Sequence, residues 1–397
     1  MTILYLTFYF EPDLCAGSFR NTALINELAG QLGPDDAVHI VTTQPNRYQS
    51  FSAEAPAHEQ RGNVTIDRIP VPVHASGLAD QIRSFLAYYR QTRRLTRGRS
   101  YDLVFASSSR LFTAFLGAGL ARQRRAPLYL DIRDLFRETI LDVFRNSLIR
   151  IPLNPVLRAV EQYTFGYATH INLVSEGFRS YFEGFRQATY SVYTNGIDDE
   201  FVDWPPIGKT HSKVRTLLYA GNIGEGQGLH KIIPQAARQL GDGYRFVVIG
   251  DGGAKHKLEA AIQREGVTNV EVRRPVGRDA LVAEYQTADY LFVHLNDLAA
   301  FERVLPSKLF EYGATNKPIV AGVAGYAARF VQEHLPNSLL FAPGDVTTLV
   351  RLLRENSYKL QVRTAFTAQF GRKIIMQQMA RQILTTRPTE TLIPATI

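Results

Sequence analysis

The sequence predicts an α/β fold in two doubly wound halves, each a parallel sheet with helices on both faces. Short apolar runs alternate with amphipathic stretches along the chain. The runs are rich in β-branched and aromatic residues and are apolar on both faces, which is typical of buried parallel strands. The series occurs twice, and we expect the two halves to face each other across a cleft at the carboxyl ends of their strands, where open α/β sheets bind ligands.

The predicted strands divide evenly between the two halves. They are residues 3–8, 38–42, 103–106, 128–131 and 171–174 in the first half, and residues 217–220, 246–250, 270–273, 290–294 and 318–321 in the second. Apolar residues with helical spacing lie between them, as at 22–31 and 278–287. Strands and helices in alternation predict βαβ units and hence parallel pairing.

The boundary between the halves is predicted near residues 195–213. Acidic residues, prolines and a glycine interrupt the apolar pattern there, as they do in linkers. We therefore assign a first domain to residues 1–200 and a second to residues 201–370. The remaining residues, 371–397, continue a helical pattern over 364–384 that we expect to cross back to the first domain.

The composition is that of a globular protein and argues against a disordered or fibrous one. The chain has 397 residues, of which 45% are hydrophobic and 21% are charged. Its single cysteine, Cys15, cannot form an intrachain disulfide, so we expect a reducing compartment, the cytoplasm. The first apolar run leads into Glu11 and Pro12 as a strand leads into its loop, unlike a signal peptide. No apolar stretch approaches the roughly 18 residues that a membrane-spanning helix needs.

The net charge of +8 predicts an anionic partner. Much of the excess lies in one short stretch, which contains Arg83, Arg90, Arg93, Arg94, Arg97 and Arg99. Nucleic acid, an anionic membrane surface and a phosphorylated ligand all have the required charge. Nucleic acid is disfavoured, because the aromatic side chains fall mainly in apolar runs and are not interleaved with basic residues.

Three glycine-containing loops follow predicted strands. The first, at 11–20, places Gly17 and Ser18 before a helix, where backbone N–H groups can approach a phosphate, and Arg20 would clamp a phosphate or carboxylate. The other two, at 221–228 and 250–253, follow successive strands of the second half. A tight structural turn would explain each loop equally well alone, but two successive ones favour contact with a ligand.

The segment FERVLPSKLFEY at 301–312 is the most informative. Pro306 and Ser307 resemble a helix start, which would aim N-terminal amides and Lys308 at an anionic group. Glu311 would lie one turn further on, where a carboxylate can accept hydrogen bonds from two vicinal hydroxyls such as those of a ribose. A surface pair between Lys308 and Glu311 is the alternative, worth only about 0.3 kcal/mol.

A cluster of charges closes the predicted strand at 128–131. Asp131 and Asp134 are placed to receive a proton or orient a hydroxyl, and Arg133 to balance an anionic charge. An ion-paired strand end is the alternative interpretation. The histidines have no metal-ligand spacing, and no Gly-x-Ser-x-Gly nucleophile motif occurs, so we expect neither a metal nor a cofactor.

Together these segments resemble the GT-B-fold retaining glycosyltransferases of family 4, particularly the bacterial O-antigen and capsule amino-sugar transferases of the fucosamine transferase type. The resemblance covers nearly the whole chain. It depends on residues 17–20, 131–135, 194–198, 219–224, 248–252 and 306–312, which occur in the expected order. It implies two Rossmann-like domains, an acceptor side in the first and a nucleotide-sugar site in the second.

The resemblance also implies a role for each candidate residue. Glu311 would hold the ribose of a nucleotide-sugar and Glu302 the donor sugar, while the turn with Val276 and Gly277 would meet the base. The diphosphate would be bound by Gly17, Ser18, Arg20, Asn222, Arg303, Ser307 and Lys308. The catalytic group would comprise Asp131, Arg133, Asp134 and Glu302. Two departures from the family stand out, since Glu302 and Glu311 are separated by eight residues where relatives have seven, and Gln227 replaces a lysine common in the glycine-rich loop.

The expected function is transfer of a sugar from a nucleotide-diphosphate sugar, with UDP preferred, in surface polysaccharide synthesis. Fixed amides and cations can stabilise the departing diphosphate without a metal. The acceptor would be a glycan or a polyprenyl-diphosphate-linked saccharide, with the arginine-rich stretch and residues 141–160 against an anionic membrane, which makes the protein peripheral. A GT-B-fold nucleotide-sugar 2-epimerase is one alternative, and a non-catalytic basic nucleic-acid-binding protein is another.

Overall fold

The computed structural model describes residues 1–46, 54–72, 78–108, 111–143, 148–202 and 213–386. The chain forms two compact units. Unit 1 comprises Met1–Arg47, Ala53–Thr194 and Ile374–Ile397, and unit 2 contains Asn195–Lys373. Of the predicted linker, residues 203–212 lie outside the described residues, as do 144–147 of the predicted membrane region. Within the described residues, no helix is both long and apolar enough to cross a membrane.

Unit 1 is built on an eight-stranded sheet in the order β3-β4-β2-β1-β5-β6-β7-β8, in which β3 alone is antiparallel. The strands are β1 (Thr2–Leu6), β2 (Ala37–Thr43), β3 (His58–Arg61), β4 (Val64–Ile69), β5 (Leu103–Ser107), β6 (Leu128–Ile132), β7 (His170–Leu173) and β8 (Thr189–Val192). The helices are α1 (Ala16–Ala29), α2 (Leu78–Leu95), α3 (Leu111–Arg124), α4 (Phe136–Val143), α5 (Arg150–Phe165) and α6 (Arg179–Phe182).

Unit 2 is built on a six-stranded parallel sheet in the order β11-β10-β9-β12-β13-β14. Its strands are β9 (Arg215–Ala220), β10 (Tyr244–Ile249), β11 (Val270–Arg273), β12 (Tyr290–His294), β13 (Ile319–Gly322) and β14 (Ser338–Phe341). Its helices are α7 (Asp199–Val202), α8 (Leu229–Leu240), α9 (Lys255–Glu265), α10 (Arg278–Thr287), α11 (Lys308–Ala314), α12 (Gly325–His334), α13 (Val346–Glu355) and α14 (Thr364–Phe370). Two separate apolar clusters pack against this sheet, as expected for a parallel sheet covered on both faces.

The last helix, α15 (Arg372–Thr385), packs on the sheet of unit 1. Met376, Met379 and Ile383 are fully buried against residues of β1 and β5, and the hydroxyl of Tyr129 donates to Gln382 at 3.0 Å. The pattern over 364–384 had predicted one continuous helix, whereas the structure breaks it at Gly371 into α14 and α15. The part of the predicted C-terminal segment after residue 386 lies outside the described residues.

Helix α1 also differs from its prediction, because it begins at Ala16 and not near residue 22. The side chains facing the core therefore include Ser18, Arg20 and Asn21, which are all buried. Because polar residues occupy the buried face of the first turns, apolar spacing does not show where this helix begins. Gly17 and Ser18 consequently lie in the first helical turn and not in a loop.

Candidate functional site

In unit 2 the candidate residues collect at the carboxyl ends of the strands. Strand β9 pairs with β10 on one side and β12 on the other, so the strand order reverses at this point. Open α/β sheets form a ligand crevice at such a switch point. The loop 221–228 follows β9, and the segment 295–307 follows β12, so both reach that crevice. The predicted glycine loop and the FERVLPSKLFEY segment therefore meet at one place.

The backbone of the glycine loop lies in close contact with Lys308. Gly221 has a φ of +140°, and a Cβ there would overlap the ammonium group of Lys308. The Lys308 nitrogen lies 5.0 Å from the centre of the Tyr219 ring, over its face. On the other side, a Cβ at Gly250 would overlap the Gly221 carbonyl oxygen. Only glycine fits at these positions, so the loop can present its backbone and a cation together.

The side chain of Gln227 stabilises the loop from within. Its Oε1 accepts hydrogen bonds from Asn222 Nδ2 and from the Gly224 amide, both at 3.1 Å. The Gln227 side chain is thus turned into the loop. In the part of the chain that the structure describes, lysine side chains contact this loop, since Lys308 lies against Gly221 and Lys257 pairs with Glu225.

His294 and Asn296, at the end of β12, attach the loop to the sheet. Nδ1 of His294 donates to the Gln227 carbonyl at 2.7 Å, while its Nε2 accepts from the Gly344 amide at 2.9 Å. Those two bonds require the neutral ring, and burial lowers the pKa of His294 to about 4. Asn296 donates to the carbonyls of Glu225 and Gly226 at 3.0 and 2.8 Å through Nδ2 and its amide. The loop is therefore held rigidly before any ligand binds.

Glu311 is the most constrained carboxylate of the site. It lies in the first turn of α11, which begins immediately after Ser307, as the sequence predicts. Its Oε2 accepts from the Tyr285 hydroxyl at 2.8 Å, and its Oε1 lies 3.6 Å from Nη1 of Arg278. The Glu311 side chain is 13% exposed, so it has little room to reorient.

Arg278 joins Glu311 to a wider ion-pair network. Its guanidinium also bonds Asp198, which in turn pairs with Arg372, and it lies over the ring of Phe201 at 4.7 Å. Although burial alone would lower the pKa of Arg278, Glu311 and Asp198 raise it above its usual value. The Arg278 guanidinium thus places a positive charge beside the Glu311 carboxylate, whose oxygens can accept hydrogen bonds from hydroxyls.

Of the remaining unit 2 candidates, Val276 and Gly277 lie directly before Arg278, whereas Glu302 and Arg303 lie in the segment after β12. Val276 is half-buried against the core of unit 2, and the exposed Gly277 caps α10 directly before Arg278. The turn predicted to meet the base is therefore next to the partner of the ribose carboxylate. Arg303 is half-buried and Glu302 exposed, both in the 3₁₀ helix Ala299–Arg303.

In unit 1 the structure corrects the roles predicted for Arg20 and Asp131. Their side chains have no exposed surface and form a two-point ion pair, with Nε and Nη2 of Arg20 each 2.9 Å from a carboxylate oxygen. Nη1 of Arg20 donates to the Thr194 carbonyl at 2.6 Å, and Asn172 donates to Asp131 at 2.7 Å. Although burial opposes it, Arg20 holds the pKa of Asp131 below its usual value. Neither side chain is available to a diphosphate or an acceptor.

Gly17, Ser18, Arg133 and Asp134 do lie at the carboxyl ends of the unit 1 strands. Gly17 and Ser18 are in the first turn of α1 after β1, where amides have no partner within the helix. Arg133, half-buried, and Asp134, exposed, follow β6, and the Arg133 amide donates to the Ser108 hydroxyl at 3.2 Å. Burial lowers the pKa of Arg133 from its usual value. In the described part of the chain, no three His, Cys, Asp or Glu side chains are arranged to hold a metal ion.

Comparison with protein families matches both units. A family model described as "Glycosyl transferase 4-like domain" matches residues 22–196, and one described as "Glycosyl transferases group 1" matches residues 203–360. The chain contains a glycosyl transferase 4-like domain and a glycosyl transferases group 1 domain, on the α/β fold of GT-B glycosyltransferases. The resemblance inferred from the sequence and the predicted fold class are thereby confirmed.

Individual relatives agree with this assignment. The Escherichia coli (strain K12) protein named as the colanic acid biosynthesis glycosyl transferase WcaI is 38% identical over 119 residues, which are 30% of this chain and 28% of that protein. This match thus spans less than a third of either protein. Sucrose-phosphate synthase from Thermosynechococcus elongatus has the same fold, with a TM-score of 0.74, 13% identity and 96% and 98% of the two chains covered. Anabaena HepE in complex with UDP-glucose gives a TM-score of 0.68, with 16% identity and coverage of 97% and 99%.

Sequence reasoning missed several residues that shape the candidate site. Arg278 and Tyr285 hold Glu311, while His294 and Asn296 hold the glycine loop. A signal existed for Arg278, which directly follows the predicted base-binding turn. For Tyr285, His294 and Asn296 the sequence offers none, because each acts through a contact with a distant segment.

Proposed function

We propose that this protein is a retaining glycosyltransferase of surface polysaccharide synthesis. It moves a sugar from a nucleotide-diphosphate sugar, with UDP preferred, to a glycan or a polyprenyl-diphosphate-linked acceptor. The observation that carries the proposal is that one short helix, α11, places Lys308 against the glycine loop and Glu311 in the Arg278–Tyr285 cage. The names of WcaI and of the HepE–UDP-glucose complex support the pathway and the nucleotide.

The donor's ribose and diphosphate have separate partners in this proposal. The Glu311 side chain accepts hydrogen bonds from the ribose hydroxyls, and the turn at Val276 and Gly277 contacts the base. The loop backbone at Asn222 and the cation of Lys308 bind the diphosphate, assisted by Arg303 and Ser307. Glu302 contacts the hydroxyls of the donor sugar.

Transfer then depends on the diphosphate as leaving group. The bond between the anomeric carbon and the phosphate oxygen breaks, and its electron pair stays on the phosphate. Lys308 and fixed amides stabilise that charge as it develops, which is the largest contribution that a preorganised site makes. The acceptor hydroxyl bonds to the anomeric carbon on the same face, and its proton passes to the leaving phosphate.

Unit 1 supplies the acceptor side of the proposed reaction. The first-turn amides at Gly17 and Ser18 and the guanidinium of Arg133 are suited to an anionic group, and Asp134 to an acceptor hydroxyl. Arg20 and Asp131 act only as positioning residues, since their buried pair fixes α1 on β6.

A thermal-shift screen of UDP-, GDP- and ADP-sugars tests the donor site. A ligand that binds only the folded state raises its melting temperature, so we expect the largest rise with a UDP-sugar. Lys308→Ala should abolish the rise, while Lys359→Ala, at an exposed lysine of the same unit, should preserve it. Equal shifts in the two variants would remove Lys308 from the site.

Product analysis separates transfer from the alternative epimerase activity. We expect a glycosylated acceptor and free UDP, whereas an epimerase would return an isomeric nucleotide-sugar without transfer. Turnover should persist in excess EDTA, because the charge on the leaving group is met by Lys308 and amides. Complete loss in EDTA that Mg²⁺ restores would contradict this mechanism.

We further propose that unit 1 contacts an anionic membrane, where a lipid-linked acceptor would reside. Leu148, Ile149, Ile151 and Val156 are 84%, 57%, 73% and 58% exposed at the start of α5. The arginines of residues 83–99 are also exposed, which complements anionic lipid. Salt-sensitive flotation with anionic liposomes is expected, and Leu148→Ser with Ile151→Ser should weaken it. Unchanged flotation of that variant would contradict the membrane contact through α5.

A further inference from the structure

An arginine-lined pocket lies at the C-terminal ends of α2 and α3 in unit 1. Its volume is about 370 Å³, within the range of small-ligand sites. Arg93, Arg94 and Arg97 come from the end of α2 and the turn after it, and Gln123 and Arg124 come from the last turn of α3. Both helices lead into parallel strands, so the pocket lies at the amino ends of the strands. It is therefore at the opposite edge of the sheet from Gly17 and Arg133.

The charge of the pocket is uncompensated. Four guanidinium groups line it together with no carboxylate, and within the described part of the chain none of the four pairs with Asp or Glu. Arginines elsewhere in the unit are paired, as Arg68 is with Glu59 at 2.8 Å and Arg137 with Glu161 at 2.6 Å. Like charges gathered in one concave site repel each other, and an anion would relieve the repulsion.

Stabilisation of helix ends accounts for only one of the four arginines. Arg124 donates to the carbonyls of Thr96 at 2.6 Å and Leu120 at 3.4 Å, as a basic residue at a helix C-terminus does. Burial lowers the pKa of Arg124, and the charge of Arg93 acts in the same direction. By contrast, the side chains of Arg94 and Arg97 are exposed, and within the described residues their guanidinium groups make no hydrogen bond to a carbonyl or carboxylate. Their guanidinium groups are available to a ligand.

We propose that this pocket binds a phosphate-bearing ligand through Arg93, Arg94 and Arg97. Guanidinium groups bind phosphate in pairs of parallel hydrogen bonds, and the amide of Gln123 can add a neutral donor. The ligand is either a soluble phosphate compound or the headgroup of a lipid, which present the same chemistry. The pocket lies wholly within unit 1 and depends on neither the donor site of unit 2 nor the apolar patch of α5.

Two probes distinguish the two sources of phosphate. The first probe is inorganic pyrophosphate, which is titrated calorimetrically. The second is an anionic vesicle: binding to vesicles of phosphatidylglycerol mixed equally with phosphatidylcholine is compared with binding to vesicles of phosphatidylcholine alone. The test variant is Arg94→Gln with Arg97→Gln. Its control is Arg186→Gln with Arg381→Gln, which removes the same charge from two exposed sites of the unit. Both are also made in the Lys308→Ala background, which disables the donor site.

We expect the test variant to bind at least one probe at least fivefold more weakly than the control, with or without Lys308. An effect on pyrophosphate assigns the pocket to a soluble phosphate compound. An effect on the anionic vesicles alone assigns it to a lipid headgroup. If the test and control variants bind each probe equally, the proposal is overturned, and circular dichroism of both variants verifies that they are folded.

Discussion

Each unit contains an arginine–carboxylate pair near the carboxyl ends of its strands, and the two pairs differ in exposure and geometry. In unit 1, Arg20 and Asp131 are 0% exposed and bonded at two points of 2.9 Å. In unit 2, Arg278 and Glu311 are 16% and 13% exposed, and their nearest charged atoms are 3.6 Å apart. The first pair is closed on itself, whereas the second leaves the carboxylate able to accept further hydrogen bonds.

A charged residue beside a strand end indicates a ligand site only once its partner is known. A buried pair with every donor engaged can hold two elements together, as Arg20 and Asp131 hold α1 and β6. A carboxylate that is fixed but incompletely bonded is preorganised for a ligand, as Glu311 is.

The largest effect is expected on the stability of unit 1. Arg20→Gln would leave Asp131 as an uncompensated buried charge, which costs about 3–5 kcal/mol. Arg278→Gln is the matched change in unit 2. We expect it to cost less free energy of unfolding, because Arg278 is partly exposed and its partner Asp198 remains paired with Arg372. Urea denaturation of the two variants measures the free energies of unfolding. Equal losses of unfolding free energy in the two variants would contradict the difference between the two pairs.

Much of the fold was predictable because parallel strands buried on both faces leave continuous apolar runs. The strands that were missed lie mostly at sheet edges. β3, with the sequence HEQR, is exposed, and β8 and β14 are only partly buried edge strands. β4 carries Asp67 and Arg68 within a buried strand, so its apolar run is broken. Edge position and buried charge both depend on tertiary contacts, which local pattern does not contain.

The site was predictable where one short segment carries several functional groups. Lys308 and Glu311 lie on the same helix, so their separation in the sequence determines how far apart they lie in the site. Arg20 was misassigned because its partner, Asp131, lies far along the chain, and no local feature shows that the two are bonded. Tyr285 was missed for the same reason.

The second prediction concerns the role of Glu311 in UDP binding by unit 2. Glu311→Gln should weaken UDP binding about 10- to 100-fold, since hydrogen bonds to a charged group are worth about 1.5–3 kcal/mol. Calorimetric titration with UDP gives the dissociation constant. Glu302→Gln serves as the control, because UDP has no sugar for Glu302 to contact. Unchanged UDP affinity in Glu311→Gln would exclude the ribose role.

The third prediction compares a buried histidine from each unit. Burial lowers the pKa of His170 and of His294 to about 4. Between pH 6.5 and 4 the unfolded chain binds protons that the folded one does not, so stability falls as the pH falls through this window. Each histidine should cost about 2 kcal/mol by pH 5, relative to neutral pH. Denaturation at a series of pH values measures this.

The two histidines should differ in their effect on the ligand. In the described part of the chain the ring of His170 hydrogen-bonds to the hydroxyls of Thr189 and Ser191, at 2.7 and 2.8 Å, whereas the ring of His294 holds the glycine loop. His294→Gln should therefore remove part of the pH dependence of UDP binding, and His170→Gln should not. The same pH profile in both variants would show that the loop does not depend on His294.

The smallest effect is expected from removing one hydroxyl in each unit. Tyr285→Phe deletes the bond to Glu311 and keeps the ring, so UDP affinity should fall about three- to tenfold, which corresponds to about 0.5–1.5 kcal/mol. Tyr129→Phe deletes a buried hydroxyl bond to Gln382 in unit 1 and should lower stability by a similar amount without changing UDP affinity. Calorimetry and denaturation of both variants separate the two effects. If Tyr285→Phe altered only stability, Glu311 would not need its hydrogen bond from Tyr285 to hold a ribose. The contacts that Arg278 and Tyr285 make with Glu311 would then be structural, as the buried Arg20–Asp131 pair of unit 1 is.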